Sequence, residues 1–217
     1  TGNSPQRVAA GDVNGDNLVD VITSNQSGDG VSVLLGNGDG TLQAKVDYPT
    51  GDNPRGVLLV DLNNDTALDL IVAHVGANYH SMLLNDGSGA FTNAAPVPTL
   101  SGNHNVLFVD VDRDGLQDIV SRAFNEQAMV SHGLPGGGFD TREQFRFGMG
   151  QLTPRDFEIA DLNSDGRPDI FISNQSQNTV DILQAQEAGG FILLASTPVG
   201  EKVERIAVAP LNPGPSL

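Results

Sequence analysis

The chain has 217 residues, including 26 Gly and 12 Pro but no Cys, and its formal net charge is −16. The absence of cysteine excludes a disulfide framework and a thiolate metal site, and the acidic balance argues against nucleic-acid binding, which needs a basic surface. No apolar run is long enough to cross a membrane, and the many Gly and Pro residues favour short strands joined by turns.

One order of predicted elements recurs along the chain. In the first copy, a strand at residues 8–10 leads into an acidic loop, a second strand follows at 19–23, and a third at 31–35 precedes a Gly-rich turn at 36–40. The first two strands are almost continuously apolar, which predicts inner strands buried on both faces. An apolar residue then opens the fourth strand, and in the four copies it is Leu42, Phe91, Phe139 and Phe191.

The spacing of the copies predicts the architecture. The acidic loops begin at residues 12, 61, 110 and 161, so successive copies are 49, 49 and 51 residues apart. Repeats of about 40–50 residues with four strands each are typical of propeller blades. We therefore expect one all-β domain over residues 1–217, a β-propeller built of four-stranded antiparallel blades. The predicted blades are residues 5–53, 54–102, 103–153 and 154–202, with a partial fifth copy at 203–217.

The fifth copy begins and then stops. Residues 206–209 match the first strand, but Pro210 stands at loop position 1 and Gly214 at position 5, where the other copies have Asp. We expect four complete repeats plus one extra strand, and no ion in the fifth loop. No signal peptide is visible, and the chain starts close to its first repeat, so we expect a mature or excised piece of a protein.

Each complete copy has a nine-residue loop with carboxylates at positions 1, 5 and 9 and with Asn or Asp at position 3. Oxygen ligands that alternate along a tight loop suit a hard cation such as Ca²⁺, and a backbone carbonyl at position 7 could complete the shell. We predict four Ca²⁺ sites. Their ligands, with position 7 offering its carbonyl, are Asp12, Asn14, Asp16, Leu18 and Asp20; Asp61, Asn63, Asp65, Ala67 and Asp69; Asp110, Asp112, Asp114, Leu116 and Asp118; and Asp161, Asn163, Asp165, Arg167 and Asp169.

A magnesium site and an EF-hand both fit these loops less well than a calcium site of another type. Mg²⁺ demands stricter octahedral geometry, and an EF-hand requires a bidentate Glu at position 12, where this chain has Thr23, Val72, Ser121 and Ile172. The four loops hold three, three, four and three acids, which is 13 of the 27 in the chain. Four divalent ions would bring the formal charge from −16 to −8, so metal ligation accounts for much of the acidity.

These residues resemble a known repeat family. The loop Gly11–Asp16 and the segment Val31–Thr41 are similar to the bacterial form of the VCBS or FG-GAP repeat, which also forms the propeller of integrin α-chains. The resemblance covers residues 1–209. It implies a β-propeller with calcium between the first two strands of each blade. It also implies an extracellular or cell-surface setting, with a role in adhesion, carbohydrate binding or substrate targeting.

Propellers of this family usually have about seven blades, so four repeats leave three alternatives. The chain could be part of a longer propeller, could associate with a second copy, or could close as a small four-bladed ring. We favour a fragment or an arc that associates, because an open arc would expose an apolar blade face and a sheet edge.

The loops opposite the calcium side are the predicted binding surface, since loops on a rigid scaffold often carry function. They are residues 24–30, 74–80, 122–127 and 173–179 between second and third strands, and residues 49–55, 100–105, 148–155 and 200–204 between blades. Aromatic rings beside polar groups suit sugar binding. The candidate ligand-binding residues are His74, Tyr79, His80, Arg122, Phe124 and Asn125.

The leading functional hypothesis is a non-catalytic module that binds a glycan or an extracellular protein, without membrane insertion. No nucleophile elbow, zinc-protease motif or phosphate loop is present, and the four histidines lie on different segments. A catalytic or targeting domain of a polysaccharide-degrading enzyme, such as a lyase, is one alternative, because paired acids can be distant in sequence. A structural spacer of a surface protein is another.

Overall fold

The computed structural model describes residues 2–100, 105–123, 127–146, 154–187 and 190–208. The chain divides into two compact units, one comprising residues 1–110 and 114–146 and the other residues 111–113 and 147–217. The described part is almost entirely strands and turns, with a short 3₁₀ helix, η1, at Gln26–Gly28. Across these residues, no helix has the length and apolar character needed to span a membrane.

Three antiparallel sheets belong to the first unit and one to the second. Blade 1 contains β1 (Pro5–Gly11), β2 (Asp20–Asn25), β3 (Gly30–Leu34) and β4 (Val46–Pro49). Blade 2 contains β5 (Pro54–Val60), β6 (Asp69–His74), β7 (Tyr79–Asn85), β8 (Phe91–Asn93) and β9 (Val97–Pro98). Blade 3 contains β10 (Val106–Val109), β11 (Asp118–Ala123), β12 (Gln127–Gly133) and β13 (Phe139–Arg146). Blade 4, the sheet of the second unit, contains β14 (Pro154–Ala160), β15 (Asp169–Asn174), β16 (Thr179–Ala185) and β17 (Phe191–Pro198).

Neighbouring strands of each blade are consecutive in the chain, and β9 extends blade 2 by pairing with β7 beside β8. This order confirms the predicted all-β class and the four-stranded antiparallel blades. The fourth strands of the last three blades begin at Phe91, Phe139 and Phe191, as predicted. In blade 1 the fourth strand begins later, at Val46, and Leu42 forms an isolated bridge with Gly36.

Strand β6 explains how the first unit builds its core. All six of its residues are buried, and successive side chains point to opposite faces. Leu70 and Val72 join one apolar cluster with Val13, Ile22 and Val33 of blade 1. Ile71 and Ala73 join a second cluster that includes Val106 and Ile119 of blade 3. The prediction that inner strands are buried on both faces is therefore confirmed for this strand. It is wrong for β1, whose residues are all exposed or half-buried.

In blade 1 and again in blade 4, hydrogen bonds between polar side chains connect the second, third and fourth strands. In blade 1, the Asn25 amide donates to Ser32 Oγ at 2.8 Å, and Ser32 Oγ donates to Asp47 at 2.5 Å. In blade 4, the Asn174 amide and Ser196 Oγ both donate to Asp181, at 3.2 and 2.6 Å. Ser32 and Asp181 occupy the same register on the third strand, as do Asp47 and Ser196 on the fourth. The carboxylate and the hydroxyl have therefore exchanged strands between the two blades.

The predicted extra strand at 206–209 does not form over its described residues. Residues 203–208 contain no strand, and Ala209 lies outside the described part of the chain. The segment nevertheless makes a contact typical of a following blade, because Ser173 Oγ donates to the carbonyl of Glu204 as Ser24 Oγ donates to that of Arg55. Among the described residues, no strand pairs with this segment.

Candidate metal centres

Each acidic loop connects the first and second strands of its blade. The residue before position 1 pairs with position 9 across the two strands, as Gly11 does with Asp20 and Val60 with Asp69. The same pairing joins Val109 to Asp118 in blade 3 and Ala160 to Asp169 in blade 4. The two strands therefore fix both ends of the loop, and the eight residues between the paired positions must turn tightly.

The turn is held by carboxylates that accept backbone N–H groups. In every loop the position-1 Asp accepts the N–H of position 6, at 2.7 Å from Asn17, 2.9 Å from Thr66, 3.0 Å from Gly115 and 2.8 Å from Gly166. In every loop the position-5 Asp also accepts the N–H of position 7, at 2.7 or 2.8 Å. The four loops thus share one conformation as well as one pattern of residue types.

Left-handed backbone at positions 4 and 6 makes this conformation possible. Position 6 has φ of 65° at Asn17, 74° at Thr66, 90° at Gly115 and 82° at Gly166. Gly adopts this region without penalty and Asn tolerates it, but a β-branched residue such as Thr is strained there. The second loop therefore carries backbone strain that the third and fourth loops avoid.

The position-9 Asp has a second task that the sequence did not reveal. Asp20, Asp69, Asp118 and Asp169 are at most 1% exposed. One carboxylate oxygen accepts the N–H of position 2, as Asp20 does from Val13 at 2.8 Å. The other accepts an N–H at or just past the end of the third strand, from Gly36, Asn85, Gly133 or Ala185, at 2.8 to 3.0 Å. These acids tie each loop to its sheet.

The donor set of the third loop fits a Ca²⁺ ion. One carboxylate oxygen from each of Asp110, Asp112 and Asp114 can be chosen so that all three lie within 4.8 Å of one another. Because Ca²⁺–O distances are about 2.3–2.6 Å, two ligands on opposite sides of one ion are about that far apart. In the other loops, Asn14, Asn63 and Asn163 replace the second Asp, and each donates its amide to the position-5 carboxylate.

Proton affinity in the loops reflects these contacts. The N–H of Asn17, followed by other loop N–H groups, holds the pKa of Asp12 below its usual value. The N–H of Arg167, then the amide of Asn163, holds the pKa of Asp165 below its usual value in the same way. Burial raises the pKa of Asp69 against its two N–H bonds, and the charges of neighbouring loop acids raise it further. This crowding of like charge is what a bound cation would relieve.

The ligand-binding residues predicted on a surface loop need correction. His74 and His80 are fully buried strand residues, because β6 and β7 extend further than the sequence suggested. His74 Nε2 lies 2.9 Å from Ser81 Oγ, and His80 Nε2 lies 2.6 Å from Ser121 Oγ. Both imidazoles are therefore part of the interior of the first unit and are closed to a glycan.

Two of the four remaining candidates lie in strands. Tyr79 begins β7 and packs against the His74 ring at a centroid distance of 5.3 Å. Arg122 lies in β11, where its backbone pairs with Ala128. Phe124 and Asn125 lie outside the described residues. A ligand role for Tyr79, Arg122, Phe124 and Asn125 stays a prediction, as do the position-7 carbonyl ligands.

Solved structures show where this fold occurs elsewhere. A functionally unknown protein from Desulfotomaculum acetoxidans matches with a TM-score of 0.65 at 15% identity, over 90% of this chain and 62% of that one. A Lactobacillus plantarum protein matches with a TM-score of 0.62 at 18% identity, over 89% and 57% of the two chains. The periplasmic gluconolactonase of Pseudomonas aeruginosa matches with a TM-score of 0.64 at 17% identity, over 91% and 55%. Identities this low establish the fold alone, and the chain spans less than two thirds of each of these structures.

Sequence comparison adds the family. No curated protein matches the chain significantly. A family model described as an FG-GAP-like repeat matches three times, at residues 12–72, 61–121 and 110–172. Each match starts at position 1 of one acidic loop and ends three residues beyond position 9 of the next. Because these matches cover most of the chain and start and end at the loops described above, the protein belongs to the FG-GAP-like repeat family.

Proposed function

We propose that this chain is a calcium-stabilised, non-catalytic propeller module that acts outside the cell by binding a glycan or a protein surface. The observation that carries the proposal is the shared loop geometry, in which acids at positions 1 and 5 hold the same backbone N–H groups in four blades. Each loop has acids at positions 1, 5 and 9, and a turn alone gains nothing from their mutual repulsion.

The polar residues of each loop have two different roles. Asp at positions 1 and 5 and Asn or Asp at position 3 supply the exposed oxygens, and the buried Asp at position 9 fixes the loop to its sheet. Bound calcium would neutralise the repulsion among these oxygens and so favour the folded loop. The third loop has an Asp at position 3 where the others have Asn, and since affinity follows ligand charge, we expect it to bind calcium most tightly.

An extracellular setting agrees with this chemistry. Extracellular calcium modules bind weakly, with dissociation constants of about 10⁻⁴–10⁻³ M, and rely on the high calcium concentration around them. The exposed loop acids of this chain, with neutral Asn at position 3 in three loops, suit such weak sites. The non-catalytic assignment follows the sequence, which contains no nucleophile elbow, zinc-protease motif or phosphate loop.

The proposal is tested by calcium titration of EDTA-stripped protein, followed by calorimetry and by thermal unfolding. We expect about four ions per chain and a melting temperature that rises with calcium, since ligand at about 100 times its dissociation constant stabilises a site by about 2.7 kcal/mol. Asp114→Asn should remove one ion. Asp86→Asn, which changes an acid outside the loops, serves as the control. A melting temperature that is the same in calcium and in EDTA would overturn the proposal.

A further inference from the structure

A cavity of about 370 Å³ lies at the junction of blades 2 and 3, within the first unit. Its lining includes the apolar residues Phe108, Leu134 and Phe139 and the polar residues Asp61, Asn64 and Gln117. The rings of Phe108 and Phe139 meet edge to face with centroids 6.4 Å apart. The cavity volume falls within the range of about 300–1,000 Å³ that is usual for small-molecule sites.

The internal repeat supplies a matched comparison. The junction of blades 1 and 2 also has a cavity, of about 340 Å³, but its lining includes the acids Asp12, Asp65 and Asp86. Hydrogen bonding sets the correspondence, because Asn85 and Gly133 both donate their backbone N–H to the position-9 Asp of their blade. The next residue is Asp86 in blade 2 and Leu134 in blade 3. The second junction has therefore gained an apolar side chain where the first has a carboxylate.

The Asn85 side chain bridges the first junction and has no counterpart in the second. The Asn85 amide donates to the carbonyl of Val13 at 2.7 Å and so bridges blade 2 to the first acidic loop, where Val13 is only 2% exposed. Gly133 has no side chain to make this bridge. Leu62, which corresponds to Val13, is only partly buried. In the second junction, the Gln117 carbonyl lies 2.5 Å from where a Cβ on Gly133 would be, so the backbone of the third acidic loop takes up the space beside this residue.

Two further differences shape the apolar wall. Leu59 of blade 2 is replaced by Phe108 at the same register of blade 3, which adds a ring to the cavity. The turn beside it contains Gly136, Gly137 and Gly138, all with φ between 87° and 97°. A Cβ atom at any of the three would meet nothing within 4 Å. The turn therefore leaves its backbone uncovered at the rim of the cavity.

We propose that this junction cavity binds a sugar ring. A pyranose has a C–H face, which suits the edges and faces of Phe108 and Phe139, and hydroxyls on its rim, which suit the polar residues Asn64 and Gln117 of the same lining. A purely apolar ligand would strip water from the Asp61 carboxylate without replacing it. A small ion would leave the aromatic wall unused. This inference rests on the proposed binding function and names a site and a ligand class for it.

The test uses the whole chain with D-galactose, D-glucose, D-mannose and N-acetyl-D-glucosamine as probes, in calcium and again in EDTA. Saturation-transfer NMR detects binding, and calorimetry gives affinities. Two variants restore the residues of the first junction: Phe108→Leu and Leu134→Asp. We expect at least one sugar to bind and each variant to weaken it by about tenfold, the loss of one aromatic or apolar contact. Asp86→Leu, the mirror change in the first junction, should leave the affinity unchanged.

Further results would separate this inference from the calcium proposal. Sugar binding that neither variant weakens would place the site elsewhere and overturn the inference, while the proposed function would stand. Failure of all four sugars to bind calcium-loaded protein would also overturn it. Sugar binding that both variants weaken, in a protein whose titration shows no calcium, would support the cavity and reject calcium stabilisation. Circular dichroism and melting temperature confirm that each variant is folded.

Discussion

The carboxylate of Asp20 accepts the backbone N–H of Gly36 at 2.8 Å, across 16 residues of chain. Its other oxygen accepts the N–H of Val13 at the start of the loop, also at 2.8 Å. Asp20 has no exposed surface, and both N–H groups belong to buried residues. This acid therefore stabilises the blade by itself, apart from any ion that the loop binds.

This dual role predicts different costs for two acids of one loop. In EDTA, Asp20→Ala should lower the free energy of unfolding by about 2–4 kcal/mol, because it leaves two buried N–H groups without an acceptor. Asp16→Ala, at an exposed position, should cost less than about 1 kcal/mol under the same conditions. Urea unfolding of both variants measures the difference. Equal costs in EDTA would mean that position 9 acts through the metal alone.

The strained backbone of the second loop predicts an exchange of residues between loops. Thr66→Gly should raise stability by about 0.5–1 kcal/mol, because relief of a left-handed β-branched residue exceeds the entropic cost of glycine. Gly115→Thr should lower stability by about 1–2 kcal/mol, since a Cβ there meets no atom within 4 Å and only the backbone resists. Chemical unfolding in calcium and in EDTA tests both changes. A destabilising Thr66→Gly would show that Thr66 makes contacts worth more than its strain.

The exchanged carboxylate and hydroxyl of blades 1 and 4 predict strong coupling. Ser32→Asp alone should destabilise blade 1 by about 2–4 kcal/mol, because it places a carboxylate at a fully buried position next to the negative charge of Asp47. Adding Asp47→Ser recreates the arrangement of Asp181 and Ser196 and should recover at least half of that loss. A double-mutant cycle from urea unfolding gives the interaction energy. Additive effects of the two changes would show that the pair does not interact.

Burial of His80 predicts a dependence of stability on pH. Burial, with a smaller contribution from His74, lowers the pKa of His80 from 6.5 to about 3. The folded state then binds fewer protons than the unfolded state between these values, so stability is complete above pH 6.5 and falls as the pH drops toward 3. From pH 7.5 to pH 5, His80 should remove about 2 kcal/mol from the free energy of unfolding.

The variant His80→Gln removes this titration while keeping a polar side chain near Ser121. We expect its free energy of unfolding to fall by about 2 kcal/mol less than that of the wild type between pH 7.5 and pH 5. Other titrating groups, including the loop acids, contribute equally to both proteins and cancel in the comparison. Parallel pH curves for the two proteins would show that His80 keeps an ordinary pKa in the folded state.

The sequence predicted those features that repeat along it. The four loops, the strands beside them and the phenylalanines that open β8, β13 and β17 recur at fixed offsets, so one copy confirms another. The bond from Gly36 to Asp20 could not be foreseen, because its donor is a backbone N–H that any residue would supply. The burial of His74 and His80 was missed because no other blade has histidine at those positions. The repeat predicts the features that all blades share, and it cannot predict the burial of a residue that occurs in one blade.

The junction cavity could be recognised only from the strand register of the structure. Phe108, Gly133 and Leu134 each look ordinary in sequence, since apolar residues and glycine are common at strand ends. The strand register aligns Leu59 of blade 2 with Phe108 of blade 3, and the hydrogen bonds to the position-9 Asp align Asn85 with Gly133. Only this alignment shows how the two junctions differ. Spacing alone would have matched Asp86 to Pro135, because the connection between the second and third strands is one residue shorter in blade 3: Ile119 pairs with Ser131, whereas Leu70 pairs with Leu83.

Strand β6 contributes alternate residues to both apolar clusters of the first unit. Leu70 and Val72 belong to one cluster and Ile71 and Ala73 to the other, so both clusters depend on this strand. We therefore expect the amide protons of Leu70–Ala73 to exchange with solvent more slowly than others in blades 1 to 3, and to do so in one joint opening event. Deletion of the second repeat should therefore destabilise blades 1 and 3 as well. Loss of a repeat at an end of the array should destabilise fewer neighbouring blades.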